Sequence, residues 1–180
     1  MKSLPAILAA IVLIGLLLIS QDETRITAAP DGEKPFPDFS MPTLGGENWR
    51  LSNQRGHITL LNFWATWCPP CREETPDLVQ LSDDYRSRGV IVVGIAMDGE
   101  NQIAIRSFVN QFRMRYPILL PAPETPMLQA IDALPTTLLL DDRGRRVVTY
   151  QGILPVTAVR REFDRLLAAS QPSQAVRPSR

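Results

Sequence analysis

The chain's two cysteines stand three residues apart in WCPPCREETP, directly behind HITLLNFW, a continuous apolar run of β-forming residues from His57 to Trp64. Such a run reads as a strand buried on both faces. The segment after Cys68 reads as a helix: Leu78, Leu81 and Tyr85 recur at helical spacing, and Gly89 follows Arg86 and Arg88 as a terminator. Strand, cysteine pair and helix form one continuous unit. Residues i and i+3 at a helix start lie one above the other, so Cys68 and Cys71 can bridge without moving the backbone.

The remaining pattern supplies a sheet for that unit. FPDFSMPTLGGENWRL, Phe36 to Leu51, predicts two short strands around a Gly45-Gly46 turn. VIVVGIAM, Val90 to Met97, predicts a second buried strand, and Ile105, Phe108, Val109 and Phe112 fall on one face of a following helix. Thr125-Pro126 reads as a cap and first-turn proline opening a short helix through Ile131. TTLLL (Thr136 to Leu140) and VVTY (Val147 to Tyr150) are strands around the turn DDRG, and a last helix turns Val159, Phe163, Leu166 and Leu167 inward. Strand–helix–strand followed by a hairpin and a helix predicts an α/β fold with a central mixed β-sheet flanked by helices.

Lys plus Arg and Asp plus Glu number 19 each, so no net field favours nucleic acid or an acidic surface. The arginines 143, 145, 146, 160, 161 and 165 are interspersed with Asp141, Asp142, Glu162 and Asp164, as on a solvated turn and helix face. Leu4 to Ile19 is apolar without a break; as a helix it spans roughly 24 Å, between a signal-peptide core and a full crossing of the ~30 Å hydrocarbon layer. The nearest small-residue cleavage site, Thr27-Ala28-Ala29, is displaced by QDETR, which favours an uncleaved anchor over a removed signal. Lys2 before the segment and Asp22 and Glu23 after it place the N-terminus in the cytoplasm and the body outside. The expected organisation is a signal-anchor over 1–20, a polar tether over 21–35, one domain over 36–169 and a disordered tail over 170–180.

At a helix N-terminus, unpaired amides and the macrodipole favour a thiolate at Cys68, the nucleophile of disulfide exchange. Cys71, one turn deeper, is placed to resolve a mixed disulfide. A purely structural bridge suits an exported chain, but closing so short a loop constrains the unfolded state little. Zinc has only two thiols and one histidine, His57, to draw on, and His57 reads as a surface residue entering a strand.

NFWATWCPPCREETP and ALPTTLLLDDRG together resemble the thioredoxin-like, membrane-anchored oxidoreductases of the TlpA, ResA and CcmG (DsbE) type, over Phe36 to Leu167. The resemblance implies a thioredoxin-like fold with the Phe36–Leu51 hairpin as an N-terminal extension and Asp98 to Pro123 as a central insertion. It implies that Cys68 attacks, Cys71 resolves, Pro135 is a cis-proline facing them, and the backbone of Leu134 pairs with the substrate chain. Pro76 would kink the active-site helix. Exposed Trp67 with Pro69, Pro70 and Leu134 completes the expected substrate-binding set, whereas Trp64 reads as core. Glu74 shares the Cys71 face of the helix, while Glu73 points elsewhere. Relatives of this kind often use an acid at the place of Glu74 to move protons for the thiols; a first-turn acid stabilised by the dipole is the alternative. Thioredoxin's buried aspartate is replaced here by Asn62, which cannot take a thiol proton and so strengthens the case for Glu74.

The residues between the cysteines bear on direction. Residue 70 is proline, so a Cys68 thiolate lacks one of the amide donors it would draw on. Strong oxidants of this fold stabilise that thiolate, so this pair is expected to be a reductant nearer roughly −270 mV than about −120 mV. An exported reductant needs electrons passed across the membrane, by resemblance from a thiol-transferring protein of the DsbD or CcdA kind. Its expected targets are disulfides of apocytochrome c or of a copper-delivery protein, with no metal and no cofactor beyond the redox-active Cys68–Cys71 pair. A DsbA-like oxidase and a peroxiredoxin-like thiol peroxidase are the alternatives. The latter wants a proline and a threonine where Leu61 and Ala65 stand. A copper carrier of this fold wants a wider cysteine spacing and a downstream histidine.

Overall fold

The computed structural model describes residues 24–28, 34–122 and 125–170. In chain order its elements are β1 (Arg25–Ala28), β2 (Ser40–Pro42), β3 (Asn48–Arg50), β4 (Ile58–Trp64), α1 (Pro69–Tyr85), β5 (Val90–Ala96), α2 (Gln102–Phe112), β6 (Ile118–Leu119), β7 (Thr136–Leu140), β8 (Arg146–Gln151) and α3 (Val156–Ser170). Six strands form a mixed sheet in the order β1-β8-β7-β4-β5-β6, and β2 pairs with β3 as a separate hairpin. The β4–β5 and β5–β6 pairs are parallel; β4–β7, β7–β8 and β8–β1 are antiparallel.

All seven residues of β4 are buried because both faces of the sheet are covered. Leu60 and Trp64 pack with Leu78 and Leu81 of α1, Ile105 and Phe108 of α2, and Val159 and Phe163 of α3. Leu61 and Phe63 face the other way, onto Met41 and Trp49 of the hairpin, with Met127 and Ile131 packed beside them. The crossovers β4–α1–β5 and β5–α2–β6 step across the sheet in one direction, so right-handed connections put both helices on one face. The hairpin supplies the second layer in place of helices. His57 is exposed at the mouth of β4, and α1 continues across Pro76 without interruption.

Two expectations are corrected. Within the segment 21–35 expected as tether, Arg25–Ala28 forms the edge strand β1 on β8. Arg25, Ile26 and Thr27 are all exposed, so the pairing rests on backbone hydrogen bonds and leaves no hydrophobic pattern to read. The short helix expected after Thr125 is present as a 3₁₀ helix, Pro126–Ala130, with the proline in its first turn, but the Thr125 side chain makes no capping hydrogen bond. The expected anchor (1–20) and the tail from 171 lie outside the described residues. Among the described residues no helix is long and apolar enough to cross a membrane.

Gly94, in the middle of β5, is required by close packing. A Cβ there would meet Trp64 Nε1 at 2.8 Å, Ile118 Cδ1 at 3.0 Å and Tyr116 Cε2 at 3.3 Å. The Trp64 ring is itself packed against Phe108, centroids 4.5 Å apart, and has little room to move. Gly94→Ala is expected to cost about 1–3 kcal/mol of stability, read as a lower denaturant midpoint at unchanged slope; an unaffected midpoint would show that the indole yields freely.

Candidate redox site

Cys68 is the N-cap of α1, with extended backbone at φ −85° and ψ 110°. Its Sγ is bonded to that of Cys71, the Cα atoms 5.3 Å apart. Pro69 and Pro70 fill the first two helical positions and carry no N–H. The Cys71 amide is the donor that remains, 3.3 Å from Cys68 Sγ. The disulfide is well covered: Cys68 is 3% exposed and Cys71 1%, so the bridge meets solvent through a narrow window. The window is flanked by Trp67, 69% exposed, and by exposed Pro69; Pro70 is half-buried. The loop before Cys68 is tied to the end of β5, since the Thr66 amide and hydroxyl both donate to Asp98 Oδ2 and the Met97 amide donates to the Trp64 carbonyl.

Glu74 lies one turn beyond Cys71 and is buried, whereas Glu73 is exposed. Asn62 Nδ2 donates to Glu74 Oε1 at 2.7 Å and to Thr137 Oγ1 at 3.0 Å, and the Leu154 amide donates to Glu74 Oε2 at 2.9 Å. Burial pushes the Glu74 carboxyl up to about 7; the bonds from Asn62 and Leu154 hold it down, and the Asp77 charge adds to the rise. A carboxyl so placed exchanges a proton near neutrality.

The Leu134–Pro135 peptide bond is cis. Thr136 pairs with Phe63, so this bond stands at the same end of the sheet as the strand end that leads to Cys68. Half-buried Leu134 packs on the cluster that contains both cysteines, and the Pro135 carbonyl accepts the Gly152 amide at 2.9 Å. Cys68, Cys71, Glu74, Trp67, Pro69, Pro70, Leu134 and Pro135 thus converge on one end of the sheet. Sequence reasoning missed what holds Glu74. A lone asparagine inside the apolar run LLNFW is a signal for a buried polar partner, but the Leu154 contribution comes from a backbone amide and has none. Among the described residues no group of three or more His, Cys, Asp or Glu could hold a metal ion.

The AhpC/TSA family model matches residues 33–156, the sheet and its dithiol included. The chain belongs to that family. It is 31% identical over 168 residues to the thiol-disulfide oxidoreductase ResA of Geobacillus kaustophilus, covering 92% of each chain. It is 33% identical over 132 residues to the thioredoxin-like protein YneN of Bacillus subtilis, covering 73% of this chain and 75% of the relative. A thiol:disulfide interchange protein of the thioredoxin family from Chlorobium tepidum superposes with a TM-score of 0.68 at 30% identity, over 77% of this chain and 99% of that one. The fold is thioredoxin-like and the protein is a thiol-disulfide oxidoreductase of the ResA type, acting on protein disulfides. The peroxidase alternative is not better supported, since Leu61 and Ala65 stand where it wants a proline and a threonine.

A pH-dependent stability follows from Glu74. Its folded value of about 7 exceeds the ordinary 4.5, so its carboxyl is held neutral more easily in the fold than in the unfolded chain. That contribution is fully present below about 4.5 and is lost as pH rises through about 7, for a total of about 3 kcal/mol. Relative to Glu74→Gln, the oxidised protein is expected to lose stability across this window and to run parallel outside it. Parallel denaturation curves throughout would show an ordinary, hydrated carboxyl.

Proposed function

We propose that this protein is a membrane-anchored, extracytoplasmic reductant of protein disulfides. The observation that carries the direction is the N-cap of α1, where the Cys71 amide is the single donor to Cys68 Sγ because Pro69 and Pro70 have none to give. A thiolate stabilised by one amide instead of two is less stable relative to the disulfide, so the reduced pair gives up its electrons more readily.

The reaction runs in two exchanges. The Cys68 thiolate attacks one sulfur of a substrate disulfide, forming a mixed disulfide and expelling the other sulfur as a thiolate. Cys71, its proton taken by Glu74, then attacks Cys68 Sγ and expels the second substrate sulfur. Two electrons have moved to the substrate, and the Cys68–Cys71 disulfide remains. The backbone of Leu134 beside Pro135 receives the substrate chain, and Trp67, Pro69 and Pro70 form its contact surface. Support for this assignment is that Trp67, Pro69 and Pro70 adjoin Cys68 in the chain and that Leu134 packs on the core cluster that contains both cysteines.

The apolar run Leu4–Ile19 is the reason to place the protein in the inner (cytoplasmic) membrane with its domain on the periplasmic side. There the targets are oxidised cysteines of apocytochrome c or of a copper-delivery protein. A membrane thiol donor of the DsbD or CcdA kind resets the pair.

A redox titration of the Cys68–Cys71 couple is expected to give a midpoint nearer roughly −270 mV than about −120 mV; a value at the oxidising end would make the protein a disulfide donor. With Cys71→Ser, mixed disulfides are expected to accumulate on Cys68 and to be absent from the double variant that also lacks Cys68. A native membrane that yields no such adducts speaks against reductase action.

A further inference from the structure

β1 fixes where the chain enters the domain. Arg25 pairs with Gln151, Gln151 with Thr136 and Thr136 with Phe63, one row of residues running across the sheet. That row lies at the dithiol end, beside Trp64. Ala28, at the far end of β1, pairs with Val148, and Pro35 bridges to Arg145 in the turn opposite the dithiol. The seven residues of β4 separate the two ends by about 20 Å.

The entry point is itself seated. The Thr24 hydroxyl donates to the Ile153 carbonyl, and a Cβ on Gly152 would touch Thr24 Cα at 3.5 Å. Gly152 has φ +91°, so a side chain is disfavoured there by conformation, and Thr24 lies in ordinary packing contact beside it. The same short loop holds the site: the Gly152 amide donates to the Pro135 carbonyl, and the Leu154 amide donates to Glu74. Thr24 therefore rests on the loop that positions both the cis-proline and the buried acid.

We infer that β1 is a strap that turns the dithiol end of the sheet toward the bilayer, so that Cys68 meets sulfurs presented at the membrane surface. This rests on the anchor reading of Leu4–Ile19. Only residues 20–23 lie between that run and Thr24, and at most about 3.5 Å per residue brings the entry point within roughly 17 Å of the run's end. Were β1 unpaired, nothing in this pairing would fix which face the domain presents. With β1 paired, the short connection leaves from the dithiol end, and the turn around Arg143 points away. The partner this fits is a membrane-embedded protein whose reactive thiol or disulfide lies at the level of the lipid headgroups.

The test uses the full-length chain, reduced, in vesicles that contain a phosphatidylethanolamine whose headgroup carries a pyridyl disulfide. Cys68 thiolate attacks the lipid-side sulfur and releases pyridine-2-thione; Cys71 then displaces the lipid thiol and leaves the Cys68–Cys71 disulfide. The comparison is Ile26→Pro/Thr27→Pro. Consecutive strand residues point their amides to opposite edges, so one of the two prolines removes a rung to β8 whichever faces it. Both side chains are exposed, and a soluble pyridyl disulfide reports whether the dithiol still works. The expected result is a release rate on the lipid disulfide about tenfold lower in the double variant, as befits a lost effective concentration, with the soluble rate unchanged. Equal rates on the lipid, with the chain retained in carbonate-washed vesicles, overturn the strap and leave the anchor standing. A chain that washes out of the vesicles overturns the anchor reading and the strap with it.

Discussion

The sulfur of Cys68 receives a hydrogen bond from a single backbone amide, and most of what this protein can do depends on that contact. A helix N-terminus ordinarily offers several free amides to an acceptor at its cap. Here two prolines occupy the first positions of α1, so the helix begins with few donors pointed at the sulfur. The prolines also fix the backbone torsions that start the helix, which places Cys71 one turn above Cys68. One dipeptide thereby sets both the bridging geometry and the number of amides aimed at the Cys68 sulfur.

Around that contact the fold buries a carboxyl. Burying a carboxyl costs free energy, and Glu74 is held in the interior because β4 supplies Asn62 and the loop after β8 supplies the Leu154 amide. Burial pushes this carboxyl up to about 7. Asn62 also donates to Thr137 of β7, so the network joins α1, β4, β7 and the loop ahead of α3. Tyr116 is buried in the same helix-side cluster, and its hydroxyl is driven far up by burial, with the charge of Glu74 adding to the effect. Glu74, pushed up to about 7 by burial, thus lies near a tyrosine whose hydroxyl is held protonated.

Much of this is legible in the sequence. β4, β5, β7 and β8 appear where continuous or alternating apolar runs stood, because strands buried on a face must carry side chains that water rejects. Leu78, Leu81, Tyr85, Ile105, Phe108, Val159 and Phe163 are buried as helical spacing required. β1 was not legible, since an edge strand with exposed side chains is held by its backbone, and backbone hydrogen bonds are the same for every sequence. The 3₁₀ form of Pro126–Ala130 escaped for a related reason: a proline and a threonine start a turn of either kind, and packing of Met127 and Ile131 against the sheet chooses between them.

The sequence by itself determined the chemistry: two cysteines one helical turn apart, prolines between them that remove amides, and an acid on the inner face of the same helix. These are local relations, fixed by the 3.6-residue period and by which residue types carry an N–H. Only the tertiary structure decided that Asn62 and Leu154 would meet Glu74, that Pro135 would stand at the dithiol end in the cis form, and that the chain would enter the domain at that same end. Each of these depends on the order and register of strands far apart in the chain, and strand order is set by which buried faces fit together, not by any short stretch of residues.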